Sequence, residues 1–172
     1  MGVHNRDYDV IIAGAGPAGS SAAIHLALSG ARVLLAEQKK FPRAKLCGEF
    51  ISPECLDHFE QLGVAEKMNA AGGARLTQTV FYSRGGRNVN VPSEWFGNQN
   101  GALGLSRAEM DNRLLERARE TGVEVFEETL VSSLLREADR VTGVRLKSGD
   151  LTNDAIAPVV IDAVAGRYYL RS

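Results

Sequence analysis

The sequence predicts an α/β fold that begins with a βαβ unit on a parallel sheet, and three observations support this prediction. Residues 8–13 form a short apolar run that ends in glycines, which is typical of a buried parallel strand. We expect a helix over residues 17–29, stopped by Gly30. Residues 31–37 form a second apolar run of strand length. A chain of 172 residues is long enough for such a domain to bury its own core.

The middle of the chain predicts two further helices and one pair of strands. A helix over residues 53–62 is expected to begin at the cap residue Ser52. Residues 75–83 and 87–92 are expected to pair as strands around a Gly-Gly turn. The motif Ser-x-x-Glu opens a helix over residues 106–121 and predicts a capping box.

The last third of the chain predicts strands alone. A short strand covers residues 123–126. Residues 129–137, 141–148 and 151–156 indicate a three-stranded meander with tight turns between its strands. Residues 158–163 are expected to form another buried strand.

Composition and charge exclude several classes of function. The chain is 44% hydrophobic and 24% charged, and its formal net charge of −1 gives no attraction toward nucleic acid or anionic lipid. Its apolar stretches are too short to predict a transmembrane segment. Two cysteines cannot build a disulfide framework, and the three histidines lack the spacing of metal ligands. Asp7 and Asp9 disfavour a signal peptide, so we expect a cytoplasmic protein.

The clearest chemical signal is the turn Gly14-Ala-Gly-Pro-Ala-Gly19 between the first strand and the first helix. Glycines at these spacings allow a tight turn, close approach of a pyrophosphate, and close packing of helix on strand. Glu37 ends the second strand 23 positions after Gly14, where a carboxylate accepts hydrogen bonds from a ribose diol and disfavours a 2′-phosphate. The pattern predicts a Rossmann-like site for the adenosine diphosphate half of FAD or NAD. The alternative is a structural turn and a solvated glutamate.

Several segments carry a family resemblance. The opening Tyr8-Asp-Val-Ile-Ile-Ala-Gly-Ala-Gly-Pro-Ala-Gly19, with Glu37, resembles that of FAD-dependent oxidoreductases of the p-hydroxybenzoate hydroxylase fold. Phe41-Pro-Arg-Ala-Lys-Leu-Cys-Gly48 is similar to the geranylgeranyl reductase branch, which is close to flavin-dependent monooxygenases and halogenases. Residues 105–125 and 129–163 continue the match in the same order. The resemblance implies FAD rather than NAD as the cofactor.

The same resemblance implies the details of the fold. Residues 1–172 would form a Rossmann-like FAD/NAD(P)-binding domain of the ββα-type glutathione reductase class. Residues 129–156 would be its inserted β-meander, and residues 72–104 part of an antiparallel sheet on the substrate side.

The resemblance further implies the residues that surround the cofactor. The glycine-rich turn would hold the pyrophosphate, and Glu37 would bind the adenosine ribose with Arg43 near it. The loop containing Cys47 would line the substrate side of the isoalloxazine. Arg107 would reach the phosphates, and Val131 would meet adenine through its backbone. The end of the last strand, with Asp162 and Gly166, would close the pocket. The set comprises Gly14, Gly16, Pro17, Ala18, Gly19, Glu37, Arg43, Cys47, Gly48, Arg107, Val131, Asp162 and Gly166.

Four of these residues have structural alternatives. Arg43 belongs to a basic run that would ordinarily be a solvated loop. Arg107 could pair with Asp111 four positions later on a helix surface. A cation in the first turn of a helix is unfavourable toward the positive end of the helix dipole, so a bound anion would explain its position better. Val131 could be a core residue, and Cys47 a small buried hydrophobe rather than a lining residue.

The chain departs from the family pattern near its end. The family has Asp-Ala-Thr/Ser-Gly-Arg after the late strand, whereas this chain has Asp162-Ala-Val-Ala-Gly-Arg167, which is one residue longer and lacks the hydroxyl. The family's later Gly-Asp motif would lie beyond Ser172. We therefore expect the N-terminal part of a longer flavoprotein, or a truncated gene product.

The function implied by the resemblance is the FAD-binding portion of a flavin-dependent oxidoreductase. NAD(P)H would reduce the flavin, and the substrate would be an apolar or aromatic small molecule for reduction, hydroxylation or halogenation. The alternative is a non-catalytic, truncated nucleotide-binding fragment. We expect the isolated chain to be inactive and to expose apolar residues such as Val80, Phe81, Leu134 and Val144.

Overall fold

The computed structural model describes residues 8–47, 49–96 and 101–164. The chain divides into two compact units. One, here called the parallel-sheet unit, joins Met1–Arg43 to Leu114–Ser172. The other, here called the inserted unit, is Ala44–Arg113.

The helices and strands follow the predicted order closely. In chain order they are β1 (Val10–Ala13), α1 (Pro17–Leu28), β2 (Val33–Ala36), β3 (Phe50–Ile51), α2 (Pro53–Leu62), α3 (Ala65–Ala70), β4 (Ala74–Leu76), β5 (Gln78–Tyr82), β6 (Asn88–Pro92), a 3₁₀ turn (Ser93–Phe96), β7 (Ala102–Gly104), α4 (Arg107–Glu120), β8 (Glu124–Phe126), β9 (Leu130–Glu137), β10 (Arg140–Ser148), β11 (Leu151–Ile156) and β12 (Val159–Asp162). Among the described residues, no helix is both long and apolar enough to cross a membrane.

The parallel-sheet unit contains a four-stranded sheet in the order β12-β1-β2-β8, with every neighbouring pair parallel. All residues of β1 and β2 are buried, as expected for strands with both faces covered. The predicted α/β fold with its opening βαβ unit is therefore confirmed.

The predicted meander forms the antiparallel sheet β9-β10-β11 in the same unit. Its apolar face packs on the parallel sheet, where Val144 and Leu146 join Ile11 and Leu34 in one core cluster. Burial of each such side chain contributes roughly 1.5–3 kcal/mol. The expectation that Val144 would be exposed is wrong, because it lies in this core, and Leu134 is half-buried against the same cluster.

The inserted unit contains the three-stranded antiparallel sheet β3-β7-β4 and the separate hairpin β5-β6. The single strand predicted over residues 75–83 is divided at Thr77, because β4 pairs with β7 while β5 pairs with β6. Strands β3 and β7 and helix α3 were not predicted, since each has six residues or fewer and carries too little periodicity to detect.

The two predicted helix caps differ in outcome. Ser52 stands at the cap position of α2, but its hydroxyl lies 3.5 Å from the Cys55 Sγ and makes no cap bond to the helix backbone. At α4 the Ser106 hydroxyl does accept the Glu109 N–H at 3.2 Å. The Glu109 carboxylate forms an ion pair with Arg113. The capping-box hydrogen bond that the structure shows is therefore the one accepted by Ser106.

Candidate functional site

The glycine-rich turn joins β1 to α1, and its three glycines have different roles. Gly14 has a φ of +96°, and a Cβ there would lie 2.9 Å from the Ala163 carbonyl oxygen. A Cβ on Gly19 would overlap the carbonyl oxygen of Gly14. Within the described part of the chain, the nearest atom to a Cβ on Gly16 is Arg43 Nη2, at 3.9 Å. The turn therefore needs Gly14 and Gly19 for its own packing, and Gly16 leaves space for a ligand.

The first turn of α1 is arranged to receive an anion. Gly16 is the N-cap residue and Pro17 occupies the first helical position, where its missing N–H costs nothing. The first turn carries no acidic side chain, so its positive dipole end is not neutralised from within the turn. The backbone N–H groups of Ala18 and Gly19 belong to the turn whose donors have no acceptor inside a helix. This geometry suits a phosphate beside Gly16.

Glu37 is buried directly beside this turn. Its Oε2 accepts the Ala15 N–H at 2.9 Å, and its Oε1 accepts the Lys39 N–H at 3.0 Å. The backbone is held equally firmly, because Glu37 donates its N–H to the Phe126 oxygen and its own carbonyl accepts the Thr129 N–H. The alternative of a solvated glutamate is therefore wrong. Each carboxylate oxygen retains a second lone pair, which can accept a ribose hydroxyl.

Arg43 lies in the same place and is separated from the basic run around it. Its side chain is 16% exposed, and Nη2 lies 3.7 Å from Glu37 Oε2. The guanidinium stands 4.7 Å from the centre of the Phe41 ring. Lys39 and Lys40 are exposed, as expected for a solvated loop. Arg43 differs from them, because its side chain faces the glycine-rich turn.

Two further predicted residues lie at the edges of this site. Val131 is buried in the core cluster, so its side chain has the structural role, and β9 is anchored next to Glu37 by the Thr129 N–H. Asp162 ends β12 opposite Ala13, is exposed, and its Oδ1 accepts the Val164 N–H at 3.0 Å. It shapes the turn that follows β12.

Arg107 and Cys47 belong to the inserted unit, where the structure brings them together. Arg107 donates from Nε and Nη2 to the two carboxylate oxygens of Asp111, at 2.9 and 3.1 Å. The pairing with Asp111 is thus observed, but Asp111 is fully buried, so it is not the surface pair considered above. This hydrogen bond raises the pKa of Arg107, burial opposes the shift, and a hydrogen bond with the exposed Cys47 adds to it.

Gly48 and Gly166 lie outside the described residues. The other predicted residues fall into two groups, one in each unit. In the parallel-sheet unit, the glycine-rich turn, Glu37 and Arg43 form one compact site. Sequence reasoning missed Glu127 and Thr129, which hydrogen-bond to the backbone of Phe41 and Glu37 beside the site. Nothing in the acids around residue 127 distinguishes a carboxylate that holds a neighbouring loop from a solvated one.

Comparisons with known proteins agree with this geometry. The family model described as "FAD binding domain" matches residues 7–159. A brominase of 1H-pyrrole-2-carbonyl-[peptidyl-carrier protein] from Pseudoalteromonas luteoviolacea is 31% identical over 96% of this chain. A digeranylgeranylglycerophospholipid reductase from Methanopyrus kandleri is 32% identical over 91% of it. The FAD-dependent chondrochloren halogenase from a myxobacterium superposes with a TM-score of 0.88 at 29% identity, over 96% of this chain.

These relatives are longer than this chain. The chain spans 39% of the brominase, 37% of the reductase and 39% of the halogenase structure. The comparisons therefore concern the part of each relative that this chain matches.

Proposed function

This chain belongs to the family of FAD-binding domains, with FAD as its cofactor, and we propose that it holds the adenosine diphosphate half of FAD for a flavin-dependent oxidoreductase. The observation that carries the proposal is the buried carboxylate of Glu37, hydrogen-bonded to the Ala15 N–H beside the open face of Gly16. A carboxylate that can accept ribose hydroxyls thus lies beside a glycine-rich turn that can hold a phosphate, as in dinucleotide-binding folds.

Each residue of the site has a role that follows from its geometry. The N–H groups of Ala18 and Gly19 at the start of α1 would bind the pyrophosphate in the space above Gly16. Glu37 would accept the ribose hydroxyls, and Arg43 would place its positive charge between ribose and phosphate. Val131 would contact adenine through its backbone, because β9 begins next to Glu37.

The substrate and electron donor form a further part of the proposal. Bound flavin would supply hydride and oxygen chemistry, with NAD(P)H as the electron donor. The names of the relatives describe action on a pyrrole, a geranylgeranyl lipid and chondrochloren, which supports an apolar or aromatic substrate. In this scheme the fold is of the glutathione reductase class, and residues 72–104 supply part of a substrate-side sheet. Cys47 would line the substrate side of the isoalloxazine, and Arg107 would contact the phosphates of FAD.

Substitution of Gly16 tests the binding site. Gly16 has φ −69° and ψ −177°, which valine adopts without strain, so Gly16→Val is expected to fold while its side chain fills the phosphate space. We expect the Kd for FAD to rise about a hundredfold, as for a loss of roughly 3 kcal/mol. The measurement is a fluorescence titration with FAD, with circular dichroism to confirm folding. Undiminished FAD binding by folded Gly16→Val would contradict the proposed site.

The alternative is a nucleotide-binding fragment without catalysis. The described site residues in the parallel-sheet unit address the adenosine half of the cofactor, and this observation keeps the alternative open. We expect the 172-residue chain, supplied with FAD, to oxidise NAD(P)H no faster than free FAD does, because rate depends on holding the isoalloxazine against its reaction partner. Stopped-flow absorbance at the flavin band measures this. Faster oxidation would show that the chain is catalytic by itself.

A further inference from the structure

Glu127 lies in the connection between β8 and β9 and uses both of its carboxylate oxygens. Oε1 accepts the backbone N–H of Phe41 at 2.5 Å. Oε2 pairs with Nη2 of Arg119 at 2.6 Å, near the end of α4. A side chain from one connection of the parallel-sheet unit therefore holds the backbone of the loop that follows β2.

The same connection also holds the residue before that loop. The Phe126 carbonyl accepts the Glu37 N–H at 2.8 Å, and the Thr129 N–H donates to the Glu37 carbonyl at 2.9 Å. Glu37 and Phe41 are thus fixed by one short segment, Glu37 through its backbone and Phe41 through the Glu127 carboxylate. The position of Phe41 then decides where Arg43 can lie, because the guanidinium of Arg43 stands over the Phe41 ring.

We propose that Glu127 is a positioning residue for FAD, which places Arg43 against the nucleotide by anchoring Phe41; this inference rests on the proposed function. Arg43 Nη2 lies 3.7 Å from Glu37 Oε2 and 3.9 Å from a Cβ built on Gly16, so the anchored arginine faces both the ribose acceptor and the phosphate space. A glutamate suits this role because its side chain is long enough for Oε1 to accept the Phe41 N–H while Oε2 faces Arg119.

The competing explanation is a structural ion pair between Glu127 and the partly exposed Arg119. Two conservative substitutions separate the two explanations. Glu127→Gln keeps the length of the side chain and an oxygen for the Phe41 N–H, but loses the charge that attracts Arg119. Glu127→Asp keeps the charge but is one methylene shorter, so its carboxylate falls short of the Phe41 N–H.

The experiment measures the Kd for FAD of folded variants of the whole chain. We expect Glu127→Asp to raise the Kd about five- to tenfold, and Glu127→Gln to stay within about twofold of the native chain. The control Arg119→Ala removes the ion pair and is expected to leave the Kd within about twofold. In an Arg43→Ala background, Glu127→Asp is expected to have no further effect, because the residue it positions is gone.

Three results would overturn the inference. One is equal weakening by Glu127→Gln and Glu127→Asp. Another is a Glu127→Asp effect that persists in full when Arg43 is alanine, and the third is native FAD affinity in Arg43→Ala itself. These results leave the proposed function standing as long as Gly16→Val weakens FAD binding as expected above. If Gly16→Val binds FAD normally, the proposed site fails whatever the Glu127 variants show.

Discussion

At the scale of single residues, Arg107 is the side chain for which the sequence leaves two interpretations open, an ion pair with Asp111 and contact with a phosphate of FAD. Its guanidinium has five N–H groups, and two of them bind the buried Asp111. With the Cys47 thiol as a further partner, donors still remain for a phosphate oxygen. Pairing with Asp111 fixes the direction of the guanidinium, and contact with a phosphate stays a prediction.

Substitution of Arg107 is expected to lower both stability and FAD affinity. Arg107→Ala removes the two hydrogen bonds that the buried Asp111 carboxylate accepts from the guanidinium, and we expect the free energy of unfolding to fall by about 1–3 kcal/mol, allowing for the partial exposure of the arginine. FAD binding is expected to weaken by about 1.5–3 kcal/mol if phosphate contact is lost. Urea denaturation without FAD and titration with FAD measure the two effects separately.

A double variant provides the control for this residue. Arg107→Ala combined with Asp111→Asn also removes the buried negative charge, so stability is expected to recover in part while FAD affinity stays low. An unaltered Kd for FAD in folded Arg107→Ala would show that the arginine has a structural role alone.

At the scale of secondary-structure elements, the packing of α1 on the β1 turn depends on Gly19. A Cβ there would overlap the Gly14 carbonyl oxygen and lie 3.2 Å from the Ala163 Cβ, so the helix would have to move. We expect Gly19→Ala to lower the free energy of unfolding by about 2–3 kcal/mol. Gly16→Ala is the matched control, because its Cβ meets open space at an ordinary φ, and a change within about 1 kcal/mol is expected. Equal urea midpoints for the two variants would contradict this packing.

The predictable elements are those whose signal is local. The opening βαβ unit, α2, α4 and the meander carry their own periodicity, turn residues or caps, and their bounds agree with prediction within about two residues. Strand β7 has no such signal, because it exists by pairing with Phe50 and Ala74, far away in the sequence. Thr77 divides the strand predicted over residues 75–83 for the same reason, since its two halves pair with different strands.

The candidate site divides in the same way. The glycine-rich turn and Glu37 were predictable, because strand, turn, helix and acid have fixed spacings. The burial of Arg43 over Phe41 was not, because it depends on a hydrogen bond from Phe41 to Glu127, 86 positions away. Contacts at such separation are decided by tertiary packing, to which a sequence pattern is insensitive.

At the scale of the whole molecule, apolar surface is covered unevenly. The parallel-sheet unit buries a continuous core between its two sheets. In the inserted unit, the hairpin β5-β6 exposes Phe81 and Val89, which lie directly opposite each other and are 55% and 61% exposed. The expectation of exposed apolar residues is therefore confirmed for Phe81 and for Val80 on the same strand. Cross-strand neighbours of this kind form one patch rather than scattered residues.

This patch predicts that the 172-residue chain associates with itself as its concentration rises. Burial of two such side chains against a second molecule is favourable by a few kcal/mol, roughly 25 cal/mol for each Å² of apolar surface removed from water. We expect Phe81→Ser with Val89→Thr to shift the chain toward monomer in multi-angle light scattering, without change in the Kd for FAD. Leu151→Ser is the matched control, because Leu151 is 71% exposed but lies on β11 of the other unit. A native chain that stays monomeric at every concentration, or an equal shift with Leu151→Ser, would show that the hairpin does not drive association.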